Sequence, residues 1–239
     1  MISRFSGKEF PMKKYTVLYI HGMGGGGDSR IPSILNEHIG EELSRRGITG
    51  VEIRVIVRTY SFDPEEAAIM IKGWAEELSP DLVIGESLGA IQAIRLGGYP
   101  HLLVSPSLGA PLYLGSLAFL SLIPGITPLL DHIYKPKEGD RQRLHFTFPV
   151  LRKYRHHREM ALSNSPAKGG KDYFYAFFGD MDHYRKSGVV SVRLYRKYFG
   201  ESYEIYHGTH FMEEEWLLSL LIPKMFSVLG LTSGHRQSS

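Results

Sequence analysis

The residues best suited to chemistry stand in the stretch 82–94, where a serine lies between two glycines. The apolar run Leu82–Ile84 is typical of a buried strand, GESLG matches G-x-S-x-G with Ser87 at its centre, and helical spacing follows. A strand, a sharp turn and a helix together form a nucleophile elbow, which holds a serine hydroxyl above the edge of a sheet. The two glycines leave room for the strained turn. We therefore predict that Ser87 is a nucleophile.

A serine hydroxyl needs a base to take its proton, and the base needs an acid that fixes its tautomer. The predicted base is His210, because it follows the last predicted strand and so reaches the carboxyl edge of a parallel sheet. The predicted acid is Asp182, which stands three residues after Gly179, so that the turn can bring its carboxylate back over the edge. Asp180 leaves the strand sooner and is the alternative acid.

The oxygen that becomes negative during attack on a carbonyl requires N–H donors close to the nucleophile. One donor is predicted at Leu88, the residue after the nucleophile, and the other at Met23, in the loop after the first strand. Gly24 is the alternative to Met23. The glycine run 24–27 predicts that the backbone of this loop approaches the substrate closely.

Strands alternate with helices along most of the chain. Predicted strands cover 15–20, 51–57, 82–84, 101–105, 172–178 and 203–206, and predicted helices cover about 28–47, 63–79, the residues after the elbow, 189–199 and 211 onward. This alternation predicts an α/β fold with a doubly wound, mainly parallel sheet that carries helices on both faces. The length of 239 residues fits a single domain, 1–239, with one insertion.

Segment 108–171 interrupts the alternation and is predicted to be an inserted cap or lid. Its run 112–130 is apolar enough to suggest a membrane span, but Gly115, Gly125 and two prolines divide it, so stable membrane insertion is not expected. We expect an apolar lid over the site, with binding to a lipid interface as an alternative. The basic and aromatic stretch 141–160 is expected to present a solvated helix face.

Composition excludes several classes of protein. The formal net charge of +3 is too small to indicate a nucleic-acid partner. The absence of cysteine excludes disulfides, thiolate catalysis and cysteine-bound metals. The N-terminal MISRFSGKEFPMKK has no apolar stretch typical of a signal peptide, so a cytoplasmic location is expected, and the polar end 232–239 is expected to fray.

These motifs together resemble the α/β-hydrolase superfamily. IHGMG is similar to its oxyanion motif, GESLGA to its elbow, GDMD to its acid turn and GTH to its histidine loop, and 63–90 with LLVSP resembles small bacterial serine esterases. The resemblance implies nucleophile Ser87, base His210, acid Asp182 and an oxyanion hole from Met23 and Leu88. It also implies two-step cleavage of an ester, thioester or amide, with no metal or organic cofactor. The acid turn departs from the family pattern in DHYRKSG, which leaves Asp180 open.

Two other classes of protein fit parts of the sequence. Gly22, Gly24 and Gly27 satisfy G-x-G-x-x-G after a strand, as in dinucleotide-binding proteins, but the second strand ends in VRTY without an acidic residue for a ribose. A non-catalytic binding protein on the same fold is the other alternative. The apolar lid favours a small ester-like substrate with an apolar acyl or aryl group. Neither the physiological substrate nor the oligomeric state follows from the sequence.

Overall fold

The structure, a computed structural model, describes residues 12–231. Within them, parallel strands form one sheet in the order β2-β1-β3-β4-β5-β6. The strands are β1 (Lys13–Ile20), β2 (Val51–Val57), β3 (Leu82–Glu86), β4 (His101–Val104), β5 (Phe174–Gly179) and β6 (Tyr203–Tyr206). The predicted doubly wound parallel sheet is confirmed. The polar end 232–239 and most of the N-terminal stretch considered for a signal peptide lie outside the described residues.

Helices connect the strands. They are α1 (Arg30–Arg45), α2 (Pro64–Leu78), α3 (Gly89–Arg95), α4 (Ala110–Leu120), α5 (Ile126–Ile133), α6 (Phe148–Ser163), α7 (Tyr184–Ser187), α8 (Val192–Phe199), α9 (Glu214–Trp216) and α10 (Ile222–Val228). A π-helical segment, Leu217–Leu221, joins the last two. The helix expected from residue 189 begins later because the side chain of Ser191 accepts the N–H of Leu194 and caps α8.

Side chains of β1 alternate between two hydrophobic layers. Val17 and Tyr19 pack with α1 and the C-terminal helices, whereas Leu18 and Ile20 pack with α2, α3 and α6 on the opposite face. The direction in which successive strands are added to the sheet reverses at β1. The next strand in sequence, β2, lies on one side of β1, and β3 lies on its other side. The carboxyl ends of β1 and β3 therefore border the crevice where ligands bind in open α/β sheets.

The segment predicted as a cap contains α4, α5 and α6, and its role as a lid stays a prediction. The residues of α6 form two faces, because Leu151, Tyr154 and Ala161 are buried in the same core as α2 and α3 while its basic residues Arg152 and Arg155 are exposed. None of the residues of α5 is buried. Among residues 12–231, no helix combines the length and the hydropathy that crossing a membrane requires.

Candidate active site

The turn between β3 and α3 holds Ser87 in a strained conformation. Its φ of 50° lies in the left-handed region that non-glycine residues rarely adopt. A Cβ at Gly85 would collide with Ala93 of α3, and a Cβ at Gly89 would collide with the carbonyls at the end of β1. Both glycines are therefore needed for the close approach of α3 to β3 and β1, which places the serine at the edge of the sheet.

Three side chains form a continuous hydrogen-bonded chain at this edge. The hydroxyl Oγ of Ser87 lies 2.8 Å from Nε2 of His210, whose Nδ1 lies 2.7 Å from Oδ2 of Asp182. The other carboxylate oxygen, Oδ1, accepts the backbone N–H of Tyr184 at 2.8 Å. A carboxylate can only accept, so Nδ1 carries the proton and Nε2 is left to accept from the serine hydroxyl. Both Asp182 and His210 are 3% exposed, which protects this arrangement from water.

The two aspartates of the acid turn have different partners. Asp180 is exposed, and its Oδ2 lies 3.1 Å from Nδ1 of His207, whose ring is also in solvent. The hydrogen bond from His207 lowers the pKa of Asp180. The structure therefore brings Asp182, and not Asp180, into contact with His210.

The acid turn and the histidine loop are held together by their backbones. The N–H of Asp180 donates to the carbonyl of Tyr206 at 2.9 Å, and the N–H of Met181 donates to the carbonyl of Gly208 at 2.9 Å. A side chain at Gly179 would overlap the carbonyls of Gly208 and Thr209, so the glycine permits this approach. The carboxylate and the imidazole meet because the ends of β5 and β6 are joined in this way.

The predicted oxyanion donors also lie beside Ser87. Gly22 borders Ser87, since a Cβ built on it would lie 3.1 Å from the Cβ of that serine. Within the described part of the chain, the N–H groups of Met23 and Leu88 have no acceptor, whereas the N–H of Gly24 donates to Oε1 of Gln142 at 3.1 Å. The geometry therefore favours Met23 over Gly24 as the partner of Leu88.

His21 braces the loop that carries Met23. Its ring stacks on Tyr60 with centroids 4.1 Å apart, and the Tyr60 hydroxyl donates to its carbonyl. Nδ1 of His21 lies 2.7 Å from the Gly22 carbonyl, so this nitrogen is the donor. Burial lowers the pKa of His21 to about 4, and the ring is therefore neutral at pH 7.

The glycine run fits a neighbouring segment of the chain. A Cβ at Gly26 would overlap the backbone of Asp140, and one at Gly27 would overlap its carboxylate, whereas Gly24 and Gly25 line the cavity beside Ser87. Each N–H of the glycine run 24–27 has an intramolecular acceptor. Gly24 donates to Gln142, Gly25 to Gly22, Gly26 to Ser29 and Gly27 to Thr59. These donors are not available to cradle a pyrophosphate, which disfavours the dinucleotide alternative.

Sequence reasoning missed Ser107, a second hydroxyl beside Ser87. Its Oγ lies 3.1 Å from Oγ of Ser87, and its backbone N–H donates to the Ser87 carbonyl at 3.0 Å. It is buried and follows β4, the strand that pairs with β3. The signal that could have revealed it is the serine after LLVSP, because ends of adjacent parallel strands meet at one edge.

A cavity of about 670 Å³ opens onto this site. Its charged side chains have partners inside the protein, since Arg30 donates to the Met212 carbonyl, Glu86 accepts from Tyr19 at 2.7 Å and Arg141 lies 2.6 Å from Asp28. The remaining wall is mainly apolar and comes largely from α4 and its surroundings. It includes Ile31, Leu88, Ala110, Tyr113, Leu114, Leu117, Leu120, Tyr134, Phe146, Val189 and Phe211. A separate hollow of about 400 Å³ near α2, α3 and α6 contains no residue of the hydrogen-bonded chain.

Several solved structures share this architecture. Est1E from Butyrivibrio proteoclasticus, solved with ferulic acid bound, has a TM-score of 0.54 at 12% identity over 93% of this chain and 92% of its own. E-2-(acetamidomethylene)succinate hydrolase has a TM-score of 0.52 at 13% identity over 92% and 93%. A monoacylglycerol lipase from Paleococcus ferrophilus has a TM-score of 0.51 at 17% identity over 89% and 94%. No family model matches the chain, and no curated protein is significantly similar in sequence.

The chain has the α/β-hydrolase fold. At these identities the similarity concerns the fold, and the chemistry must be argued from the site itself. On this α/β-hydrolase sheet the strand ends bring together a serine, an imidazole and a carboxylate that lie far apart in sequence. Among the described residues, no three histidine, aspartate or glutamate side chains are grouped so that they could hold a metal ion.

Proposed function

We propose that the protein is a serine hydrolase that cleaves a carboxylic ester through an acyl-enzyme intermediate. The observation that carries this proposal is the chain of contacts from Ser87 through His210 to Asp182, at 2.8 and 2.7 Å, beside two N–H groups that have no acceptor among residues 12–231. A nucleophile, its base, the orienting acid and the oxyanion donors are the parts that acyl transfer needs. A binding protein without activity would have no need for this arrangement.

In the proposed mechanism, Ser87 Oγ attacks the carbonyl carbon while Nε2 of His210 takes the hydroxyl proton. The electron pair of the carbonyl moves to oxygen, which accepts hydrogen bonds from the N–H groups of Met23 and Leu88. When the carbonyl re-forms, the bond to the leaving alcohol breaks and His210 returns its proton to that alcohol. Asp182 stays ionised and stabilises the imidazolium. Water then repeats the two steps on the acyl-enzyme and releases the acid.

The cavity supports a substrate with an apolar acyl or aryl group. Most of its wall is aliphatic or aromatic, and its charged side chains are engaged within the protein. Burying apolar surface of the substrate in such a cavity provides binding energy without an ion pair. Thioesters and amides share the same carbonyl chemistry and are the alternative substrates.

Labelling with a fluorophosphonate tests the proposal directly, because the probe forms a bond only with an activated serine. The wild-type protein should gain one adduct on Ser87, and Ser87→Ala should lose both labelling and hydrolysis of nitrophenyl esters by about 10⁴-fold or more. Ser116→Ala is the matched control, since this serine also lines the cavity but lies on α4. Intact labelling without turnover of esters would point to thioesters or amides. Absence of any adduct on folded protein would favour a binding protein.

A further inference from the structure

An unusual share of the exposed apolar side chains is concentrated on α4, α5 and the turn between them. Nine of the nineteen large hydrophobic residues that are exposed among residues 12–231 lie within 112–134. We name these nine the apolar patch: Leu112, Tyr113, Phe119, Leu120, Leu122, Ile123, Leu129, Ile133 and Tyr134. Such a concentration of exposed apolar side chains is typical of an interaction site rather than of ordinary protein surface.

The patch is not the side of α4 that packs on the protein. The buried residues of α4 are Pro111, Leu114, Gly115 and Ala118, which repeat at helical spacing and face the core. Phe119 is 68% exposed, apart from an edge contact with Phe148, and Leu122 is 60% exposed. The sequence thus keeps apolar residues on both sides of α4, and the outer side needs a partner.

Charge around the patch points to the class of that partner. Residues 112–158 contain eight lysines and arginines against three acidic residues, so this segment holds more than the whole net charge of +3. Lys135, Lys137, Arg152 and Arg155 are exposed, and no described carboxylate lies within salt-bridge distance of them. An apolar area with unpaired cations at its border is complementary to an anionic lipid surface.

Two of these basic residues lie near α4, Arg155 at Gly115 on its packed side and Arg152 beside Phe148 of α6. The stem of Arg155 fills the space where a side chain at Gly115 would be, and the guanidinium of Arg152 lies 5.5 Å from the ring of Phe148, which contacts Phe119. Aliphatic stems can then rest on apolar surface while the charged ends reach headgroups.

The patch is continuous with the cavity at the candidate site. Tyr113, Leu120 and Tyr134 belong to the patch and also line the cavity that opens onto Ser87. An acyl chain could pass from a lipid surface into the cavity along apolar contacts only. A second copy of the chain on the same face would cover this entrance.

We propose that the apolar patch docks the protein on an anionic lipid bilayer, in the plane of the interface and without crossing it. Phe119, Leu122 and Ile123 enter the headgroup region, and the surrounding lysines and arginines bind acidic headgroups. The binding is independent of catalysis. Only the supply of acyl substrate from the bilayer rests on the proposed hydrolase function.

Sedimentation with vesicles tests the proposal in the Ser87→Ala background, where hydrolysis cannot alter the lipid. The protein should bind vesicles of phosphatidylcholine with about one third phosphatidylglycerol, more weakly in high salt and more weakly on phosphatidylcholine alone. Phe119→Asp and Ile123→Asp should each reduce the bound fraction per lipid by about tenfold. Ile69→Asp is the matched control, because Ile69 is 71% exposed on α2, outside the patch, and this change should leave binding unaltered.

The proposal would be overturned if the protein did not bind vesicles, or if Ile69→Asp reduced vesicle binding as much as Phe119→Asp does. It would also be overturned if the protein did not bind vesicles but formed a dimer in sedimentation velocity, and Phe119→Asp converted that dimer to monomers. The last result would assign the patch to a second copy of the chain. The same patch variants, made in protein that retains Ser87, should also be labelled with a fluorophosphonate. This measurement tests the hydrolase proposal separately from the docking proposal. If labelling persists and vesicle binding does not occur, docking fails while the hydrolase proposal stands.

Discussion

The carboxyl edge of the sheet and the α4–α5 segment differ in how they satisfy their side chains. At the edge, buried polar groups such as Asp182 and His210 find partners within the protein. In α4–α5, large apolar groups such as Phe119 and Ile123 remain exposed to solvent. The polar groups of the first region are satisfied within the protein, whereas the apolar side chains of the second would be shielded from water only by a binding partner. Substitutions should therefore affect stability and chemistry at the edge, but should affect mainly association at those patch residues that do not line the cavity.

The largest difference is expected between the two aspartates of the acid turn. Asp182→Asn should reduce kcat by about 10⁴-fold, because an amide that donates to Nδ1 would select the tautomer that cannot accept the serine proton. Asp180→Asn should change kcat less than about threefold, since the exposed Asp180 carboxylate is paired with His207 rather than with His210. The measurement is nitrophenyl ester hydrolysis with both variants shown to be folded by circular dichroism. Equal losses would mean that the acid is shared or misassigned.

The difference between Asp180 and Asp182 shows how far the site could be predicted from the sequence. Local patterns predicted the alternation of strands and helices along the chain, and they predicted that Ser87 and His210 follow strand ends. Both predictions depend on motifs and periodicity, which are short-range signals. The preference for Asp182 rested on turn length, whereas the structure adds a specific cause: the N–H of Tyr184 holds one carboxylate oxygen so that the other faces the imidazole. Such side-chain geometry has no sequence pattern of its own.

Long-range contacts explain what the sequence could not predict. Ser107 lies beside Ser87 only because β4 pairs with β3, and Gly26 is required only because Asp140 passes over it. Hydropathy also predicted an apolar segment at 112–130 without distinguishing the side that lines the cavity from the side that faces solvent. Both sides are apolar, so no amphipathic pattern separates them.

Stability of the fold should depend on pH through two buried histidines, one at each end of the strands. Burial lowers the pKa of His21 and of His101 to about 4, whereas both rings titrate near 6.5 when unfolded. Below pH 6.5 the unfolded chain binds protons that the folded chain does not, so the free energy of unfolding falls as pH decreases from 6.5 to 4. Above pH 6.5 the rings are neutral in both states, and this loss of stability is absent. The loss should reach up to about 3 kcal/mol for each histidine.

Urea denaturation at several pH values between 7 and 4 measures this effect. His101→Leu tests the assignment, because the His101 ring is fully buried against Phe174 and its nitrogens have no hydrogen-bond partner among the described residues. The variant should show a shallower dependence on pH than the wild type. An unchanged slope would mean that other groups cause the acid sensitivity.

A smaller loss of stability is expected where the glycine loop meets Asp140. Gly26→Val places a side chain against the backbone of Asp140 and should reduce the free energy of unfolding by about 1–3 kcal/mol. Gly40→Ala is the control, because Gly40 lies in α1 with open space around its Cβ position and should gain up to about 1 kcal/mol. Guanidinium denaturation gives both values. A neutral Gly26→Val would show that the 139–142 segment moves freely.

Ser107→Ala should have a modest effect on catalysis alone. The Ser107 hydroxyl, 3.1 Å from Oγ of Ser87, can donate to that oxygen and stabilise the charge that develops as it loses its proton. We expect kcat to fall about tenfold with KM nearly unchanged, since the interaction strengthens in the transition state. Ser107→Thr should restore much of the rate by retaining the hydroxyl. A change confined to KM would assign Ser107 to substrate binding.

The smallest effects on stability and on catalysis are expected at the apolar patch, because its exposed side chains contribute little to the folding of the isolated protein. Leu122→Asp replaces a side chain that is 60% exposed, and the free energy of unfolding should change by less than about 0.5 kcal/mol. Hydrolysis of a short, water-soluble ester should also be unchanged, because Leu122 does not line the cavity. Thermal denaturation and initial rates measure both. A large loss of stability would show that Leu122 is packed within the chain, and the exposed apolar surface would then need no partner.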